Sequence, residues 1–198
     1  MGGTIRDFFC SQLGGIAVKG LLEKTGIAGK ARVDTVMAGS AAHCSRAMNP
    51  ARWITLYAGL PYETSASYVE MQCGSAIDSI NHAAWKILAG QADIVIAGGM
   101  ESYSQIPAKF SMSTPPYRLI PPMPIEQQLS PVPEECIGMG LTAENLQEMY
   151  RIPREASDEF AYNSQMRART AMENGWFKEE IVPVVIPATR KTPEVVFD

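Results

Sequence analysis

Residues 66–102, ASYVEMQCGSAIDSINHAAWKILAGQADIVIAGGMES, read as strand, tight turn, helix and strand. Ser67 to Gln72 holds the β-prone Tyr68 and Val69, so it is predicted as a strand. Cys73-Gly74-Ser75 is the turn. From Ala76 to Ala89, the residues Ile77, Ile80, Ala84, Ile87 and Leu88 recur three to four apart. That spacing predicts a helix with one apolar face. Gly90 is its stop. Asp93 to Ala97 is a short apolar run around Ile94, Val95 and Ile96, expected to be a strand buried on both faces. Gly98-Gly99 closes it.

Cys73 carries the chemistry of this stretch. A cysteine in the turn before a helix faces unpaired backbone N–H groups and the positive end of the helix dipole. Both stabilise negative charge on sulfur. Gly74 leaves room beside it for a substrate, and the same N–H groups can hold an oxyanion. A buried structural cysteine fits the local pattern equally well.

Working outward, Cys10 to Thr25 is predicted to be helical, with Leu13, Ile16, Ala17, Gly20 and Leu21 on one face and Gly26 as stop. Cys10 is read as a packing residue. Val33 to Ala38 is a short strand. Gly39 to Asn49 is a loop holding His43 and Cys44, two adjacent residues that cannot form a zinc site by themselves. Asn49-Pro50-Ala51-Arg52 opens a helix through Ala58, with Asn49 as N-cap and Pro50 at its first position. His82 lies off the apolar stripe of its helix and reads as a surface or interface residue. Alternating helices and strands predict an α/β sheet flanked by helices, with Cys73 at the carboxyl end of a strand.

Residues 107–133 carry eight prolines, which exclude regular helix and central strand. Two helices are predicted beyond, Thr142 to Tyr150 and Pro153 to Asn174. The second places Ala156, Phe160, Ala168 and Met172 on one face. Phe177 to Val184 reads as a strand.

The net charge of −4 and the lack of a Lys/Arg cluster argue against nucleic acid. The longest apolar runs are too short to span a bilayer, and no signal peptide is visible. Cys10, Cys44, Cys73 and Cys136 form no Cys-x-x-Cys pair, which suits reduced thiols in the cytoplasm and no metal site.

The organising stretch resembles the nucleophile region of the thiolases, the acetyl-CoA acetyltransferase and 3-ketoacyl-CoA thiolase family. The resemblance rests on Cys73-Gly74-Ser75, Ala89-Gly90-Gln91-Ala92-Asp93 and Ala97-Gly98-Gly99-Met100-Glu101-Ser102. Asn49-Pro50-Ala51-Arg52, Gly140-Leu141-Thr142-Ala143-Glu144-Asn145 and Asp158-Glu159-Phe160-Ala161 extend it. Ala76 replaces the usual Gly, and Glu70 stands where many members carry Asn. Gly2-Gly3 matches a family Gly-Gly that normally follows a first strand, so Met1 looks like an internal methionine.

The resemblance implies an incomplete thiolase-type layered α/β fold. Residues 1–106 would be the N-terminal α/β domain, lacking its first strand. Residues 107–198 would be a Pro-rich connection and part of the mainly helical loop domain that covers CoA. Cys73 would take up an acyl group, with its backbone N–H contributing to an oxyanion hole. Met139 would line the acyl pocket. Gly138 stands where biosynthetic members often carry His, which leaves room for longer or branched chains. Arg167 and Arg169 could meet CoA phosphates, but a solvated helix face is the better explanation of them.

Acyl-CoA and CoA would be substrates, with no cofactor, and full-length members pair into homodimers or homotetramers. The family's Gly-His-Pro histidine and second cysteine have no counterpart in these residues. Cys136-Ile137-Gly138 fits the Cys-x-Gly pattern by letters, but in the wrong place. The chain alone is therefore expected to be inactive. A non-catalytic scaffold or lipid carrier, one half of a two-chain enzyme and, more weakly, a decarboxylating ketosynthase are the rival readings.

Overall fold

The computed structural model describes residues 3–43, 45–111, 121–125, 128–190 and 192–198. Cys44, the Gly2 of the Gly-Gly match, and Pro115 and Pro116 of the Pro-rich segment lie outside the described residues. The chain divides into two compact units, Met1–Pro107 with Val182–Asp198, and Ala108–Ile181. The last seventeen or so residues, assigned from sequence to the loop domain, thus group with the first unit.

In the first unit α1 (Cys10–Thr25) precedes β1 (Thr35–Gly39), α2 (Pro50–Tyr57), β2 (Ser65–Val69), α3 (Ser75–Leu88) and β3 (Val95–Gly99). The three strands form a parallel sheet in the order β2-β1-β3. Val36 sits opposite Ala66 on one side and Ile96 on the other. Each pair of parallel strands needs a crossover, and α2 and α3 supply the connections before and after β2. The central strand β1 is buried along its whole length, whereas β3 is half-buried to exposed rather than covered on both faces. The reason is topological: β3 is an edge of this sheet. Cys10, Val36, Ala38, Ala51, Ile54 and Met100 form the core. Cys10 is fully buried there, in keeping with a packing role.

Local chemistry explains the element ends. Gly26 ends α1 in the left-handed conformation, φ 61°. Asn49 caps α2 by accepting the Arg52 N–H at 3.0 Å, with Pro50 in the first turn. The Arg52 guanidinium reaches forward to donate to the carbonyls of Thr64 and Tyr62 at 2.6 and 3.0 Å. This ties α2 to the start of β2.

Two helix faces differ from the periodic expectation. In α1 the buried residues are Cys10, Ser11, Gly15 and Leu22, while Leu21 is exposed. Gly14 and Gly15 bring α1 onto Ile54 and Tyr57 of α2, with no room for a side chain between them. Close approach through glycine selects that face over the larger aliphatic one. In α3 the packed residues are Ser75, Ser79 and Ala83. Ile77, Ile80, Ile87 and Leu88, expected in the core, are 60, 46, 46 and 83% exposed.

The remaining strands β6 (Val184–Ile186) and β7 (Val195–Phe197) pair antiparallel. The predicted Phe177–Val184 strand is a turn over residues 176–180, and only Val184 enters β6. In the second unit β4 (Phe110–Ser111) and β5 (Met123–Pro124) form a short antiparallel ladder. There α4 (Met139–Tyr150) starts a turn earlier than expected, and α5 (Arg154–Glu173) follows. Phe160 and Met172, expected on a packed face of α5, are 77 and 65% exposed, and its one buried residue is Ala171. Among the described residues no helix is long and apolar enough to cross a membrane.

Candidate active site

The three parallel strands end together at Gly39, Val69 and Gly99. A cleft of about 510 Å³ opens over these ends, lined among others by Ser40, Gln72, Cys73, Ser75, Glu101 and Tyr103. This is where an open α/β sheet collects ligands, because the loops leaving the strands diverge there.

β2 ends at Val69, so Glu70, Met71 and Gln72 belong to the turn and not to the strand expected through Gln72. Gln72 takes a left-handed conformation, φ 47°. Gly74 is the N-cap of α3 and makes no side-chain cap bond. The Gly74 N–H donates to the Met71 carbonyl at 3.0 Å and the Ser75 N–H to the Gln72 carbonyl at 3.1 Å. Cys73 sits in the middle of this turn, exposed, at the positive end of a 14-residue helix. The structure therefore gives the sulfur a solvent-facing position on a cleft, not a place in the core.

Four polar side chains fasten the cleft walls. Ser75 Oγ accepts the Met71 N–H at 2.8 Å and donates to the Gln72 carbonyl at 2.6 Å, with Ser40 O at 3.3 Å. Tyr68 Oη lies 2.9 Å from Ser40 Oγ and 3.1 Å from the Ser40 carbonyl. Burial raises the Tyr68 phenol above its ordinary pKa, partly offset by its bond to Ser40. The Glu101 carboxylate accepts the backbone N–H groups of Ala41 and Ala42 at 2.7 and 3.3 Å, fixing the loop after β1. Ser79 Oγ donates to the Gly98 carbonyl at 2.9 Å.

None of these supporting roles stood out in the sequence. Glu101 and Ser75 lie inside quoted motifs, yet Glu101 bonds a loop 60 residues away and the weakest of the Ser75 contacts, to Ser40, spans 35. A serine directly after Cys-Gly was the one available signal, because serine at a helix start usually bonds backbone.

The other candidates fall elsewhere. His43 has φ 47° and stacks edge-on against Tyr68, ring centroids 5.2 Å apart. Its Nδ1 is buried without a hydrogen-bond partner. His82 is partly exposed, 3.8 Å from Asp78 across one helical turn. Met139 and Gly138 belong to the second unit, Met139 as the first residue of α4 and 66% exposed. Arg169 pairs with Glu173 at 2.7 Å along α5, as a solvated helix face does. Cys136 Sγ donates to the Ser130 carbonyl at 3.2 Å. Among the described residues no group of three His, Cys, Asp or Glu side chains could hold a metal ion.

A family profile described as the thiolase N-terminal domain matches residues 1–198. The chain is 38% identical over 200 residues to an acetyl-CoA acetyltransferase of Chromobacterium violaceum, covering 100% of this chain and 50% of that protein. It is 36% identical over 198 residues to a probable acetyl-CoA acyltransferase of Staphylococcus aureus, covering 98 and 50%. The crystal structure of the Bacillus anthracis acetyl-CoA acetyltransferase superposes with a TM-score of 0.84 at 31% identity, over 100% of this chain and 50% of that one. The chain thus spans about half the length of the relatives it matches. With the motif around Cys73, the thiolase-type arrangement of sheet and helices and a match along its whole length, this chain belongs to the thiolase family.

Proposed function

We propose that this chain carries the nucleophile of an acyl-CoA C-acyltransferase. Cys73 attacks the 3-keto carbon of a 3-ketoacyl-CoA as thiolate. The carbon–carbon bond breaks, the departing two-carbon enolate takes up a proton as acetyl-CoA, and the acyl group stays on sulfur as a thioester. The thiol of a free CoA then displaces it as acyl-CoA. Run backward, the same steps condense two acyl-CoAs. The backbone N–H of Cys73 stabilises the oxyanion at the attacked carbon. CoA is a substrate, and the reaction takes no cofactor.

One observation carries this reading: the sulfur is exposed on the cleft at the strands' carboxyl ends, before the first turn of α3. A scaffold or lipid carrier has no use for a thiol so presented. Intact-mass analysis tests it. The chain, mixed with a polypeptide carrying the half of the relatives it does not match, is incubated with acetyl-CoA and quenched. An acetyl group on the Cys73 peptide is the expected product. Acetyl on another residue, or none while the mixture still turns over acetoacetyl-CoA, overturns the reading.

The proposal includes low activity for the 198-residue chain by itself, since the family's activating histidine and second cysteine have no counterpart in it. In this reading the full-length protein assembles as a homodimer or homotetramer in the cytoplasm. Met139 lines the acyl pocket in this reading. Gly138 widens that pocket, so longer 3-ketoacyl-CoAs should turn over at least as well as the four-carbon one. A strong preference for four carbons removes that part.

A further inference from the structure

Serine at the start of a helix ordinarily sits at the N-cap and bonds forward to the N–H groups of the first turn. In α3 the N-cap is Gly74, without a side-chain bond, and Ser75 one position later points backward. Its hydroxyl accepts from Met71 N–H and donates to Gln72 O, the two residues that precede Cys73. Ser40 O at the end of β1 is its weaker third partner. The residue is 2% exposed, so these bonds are shielded from water. Gln72 between them holds φ 47°, a conformation that a side chain disfavours and that persists only where neighbours impose it.

We infer that Ser75 is the positioning residue for Cys73. Its hydroxyl locks Gln72 in the left-handed conformation, and that bend turns the sulfur out over the N-terminus of α3. The inference rests on the reading of Cys73 as the nucleophile. Ser75 itself touches no substrate.

The test is the rate of iodoacetamide alkylation, followed peptide by peptide in the full chain at one neutral pH. Two other cysteines serve as internal standards. Cys10 is fully buried, so its labelling reports unfolding of the first unit. Cys136 lies in the second unit and reports the reagent. In Ser75→Ala, Cys73 labelling should slow by roughly three- to ten-fold, the equivalent of one net hydrogen bond, with Cys10 still protected.

Gln72→Gly combined with Ser75→Ala should restore the rate, because glycine takes a positive φ without the clamp. If Ser75→Ala alone unfolds the first unit and exposes Cys10, the double variant should regain protection of Cys10 as well. An unchanged Cys73 rate in folded Ser75→Ala overturns the inference. So does a double variant no better than the single one, which is what a general packing role predicts. The acetyl-CoA experiment is independent. A Cys73 that follows this alkylation pattern but never carries acetyl removes the nucleophile reading and leaves the clamp standing.

Discussion

Gly99 offers a direct trial of how closely α3 meets the sheet. A Cβ built on Gly99 would lie 2.5 Å from the Ala76 Cβ. Carbon atoms without a bond between them prefer roughly 3.5–4.0 Å, so strand or helix must give way. Alanine has no rotamer with which to yield. Gly99→Ala should therefore cost about 1–3 kcal/mol, the usual range for overpacking. Removing the obstacle changes the sum. With Ala76→Gly, the nearest atoms to the new Cβ become Ala76 Cα at 3.5 Å and Gly39 O at 3.7 Å, both ordinary contacts.

Ala76→Gly by itself costs at most about 1 kcal/mol, since it swaps Ala for Gly in a helix's first turn. The double variant should thus be about as stable as Ala76→Gly alone, a favourable coupling equal to the Gly99→Ala cost, about 1–3 kcal/mol. Urea titration with labelling of Cys10 as the readout confines the measurement to the first unit, where that cysteine is fully buried. A double variant that loses the sum of the two single costs refutes the reasoning.

Gly39→Ala should be worse and have no rescue, because its Cβ would meet the Ser75 carbonyl oxygen at 2.5 Å and carbonyl carbon at 2.7 Å, both backbone. Adding Ala76→Gly should not raise its urea midpoint, and should lower it by no more than Ala76→Gly does alone. Asp34 gives a pH-dependent outcome. The N–H groups of Asp93 and Ile94, then Arg32, hold its carboxyl below the ordinary value against an opposing effect of burial. A carboxylate lowered on folding stabilises at neutral pH and loses that contribution as pH falls below about 4. Asp34→Asn should therefore be less stable than wild type at pH 7, with the gap closing in acid; a gap that widens in acid contradicts this. Finally, the outward face of α3 should bind an apolar dye such as ANS. Ile77→Gln with Leu88→Gln should lower that fluorescence while leaving the urea midpoint of Cys10 labelling unmoved.

These cases also show what the sequence could and could not reveal. The limits of α1 were legible to the residue, because Gly26 marks its end and the chain before Cys10 is not periodic. β3 was misplaced by two residues, at 93–97 instead of 95–99, for a reason that lies sixty positions away. The Asp34 carboxylate takes the N–H groups of Asp93 and Ile94 out of the ladder, and pairing begins at Val95 opposite Thr35. Periodicity identified α3 but not the side it turns to the sheet. Ile77, Ile80, Ile87 and Leu88 form a stripe, yet α3 buries Ser75, Ser79 and Ala83, because Gly39 and Gly99 at the facing strand ends leave no space between them and Ser75 and Ala76. The place of Cys73 in a turn before a helix was readable from its neighbours in sequence. Its fastening through Ser40, Tyr68 and Glu101 was not, since each bond spans 28 to 60 residues of chain.

The placement of glycine bears on whether that sulfur is incidental. Glycine weakens a strand, because it has no side chain to pack and gives up more backbone freedom than any other residue. Yet β1 ends in glycine and β3 ends in two, at the level where α3 begins. A sheet selected for stability alone would carry β-branched residues there. At Gly39 and Gly99 those residues would push the first turn of α3 away from the strands, since a Cβ there would lie 2.5 Å from Ser75 or Ala76. Ser75 would then lose Ser40, and Ser79 would lose the Gly98 carbonyl. The Ser75 contacts converge on the turn 70–74 and on the start of α3 behind it. Stability is given up at the strand ends, and what it secures is the close seat of the first turn of α3, which the proposed role of Cys73 requires.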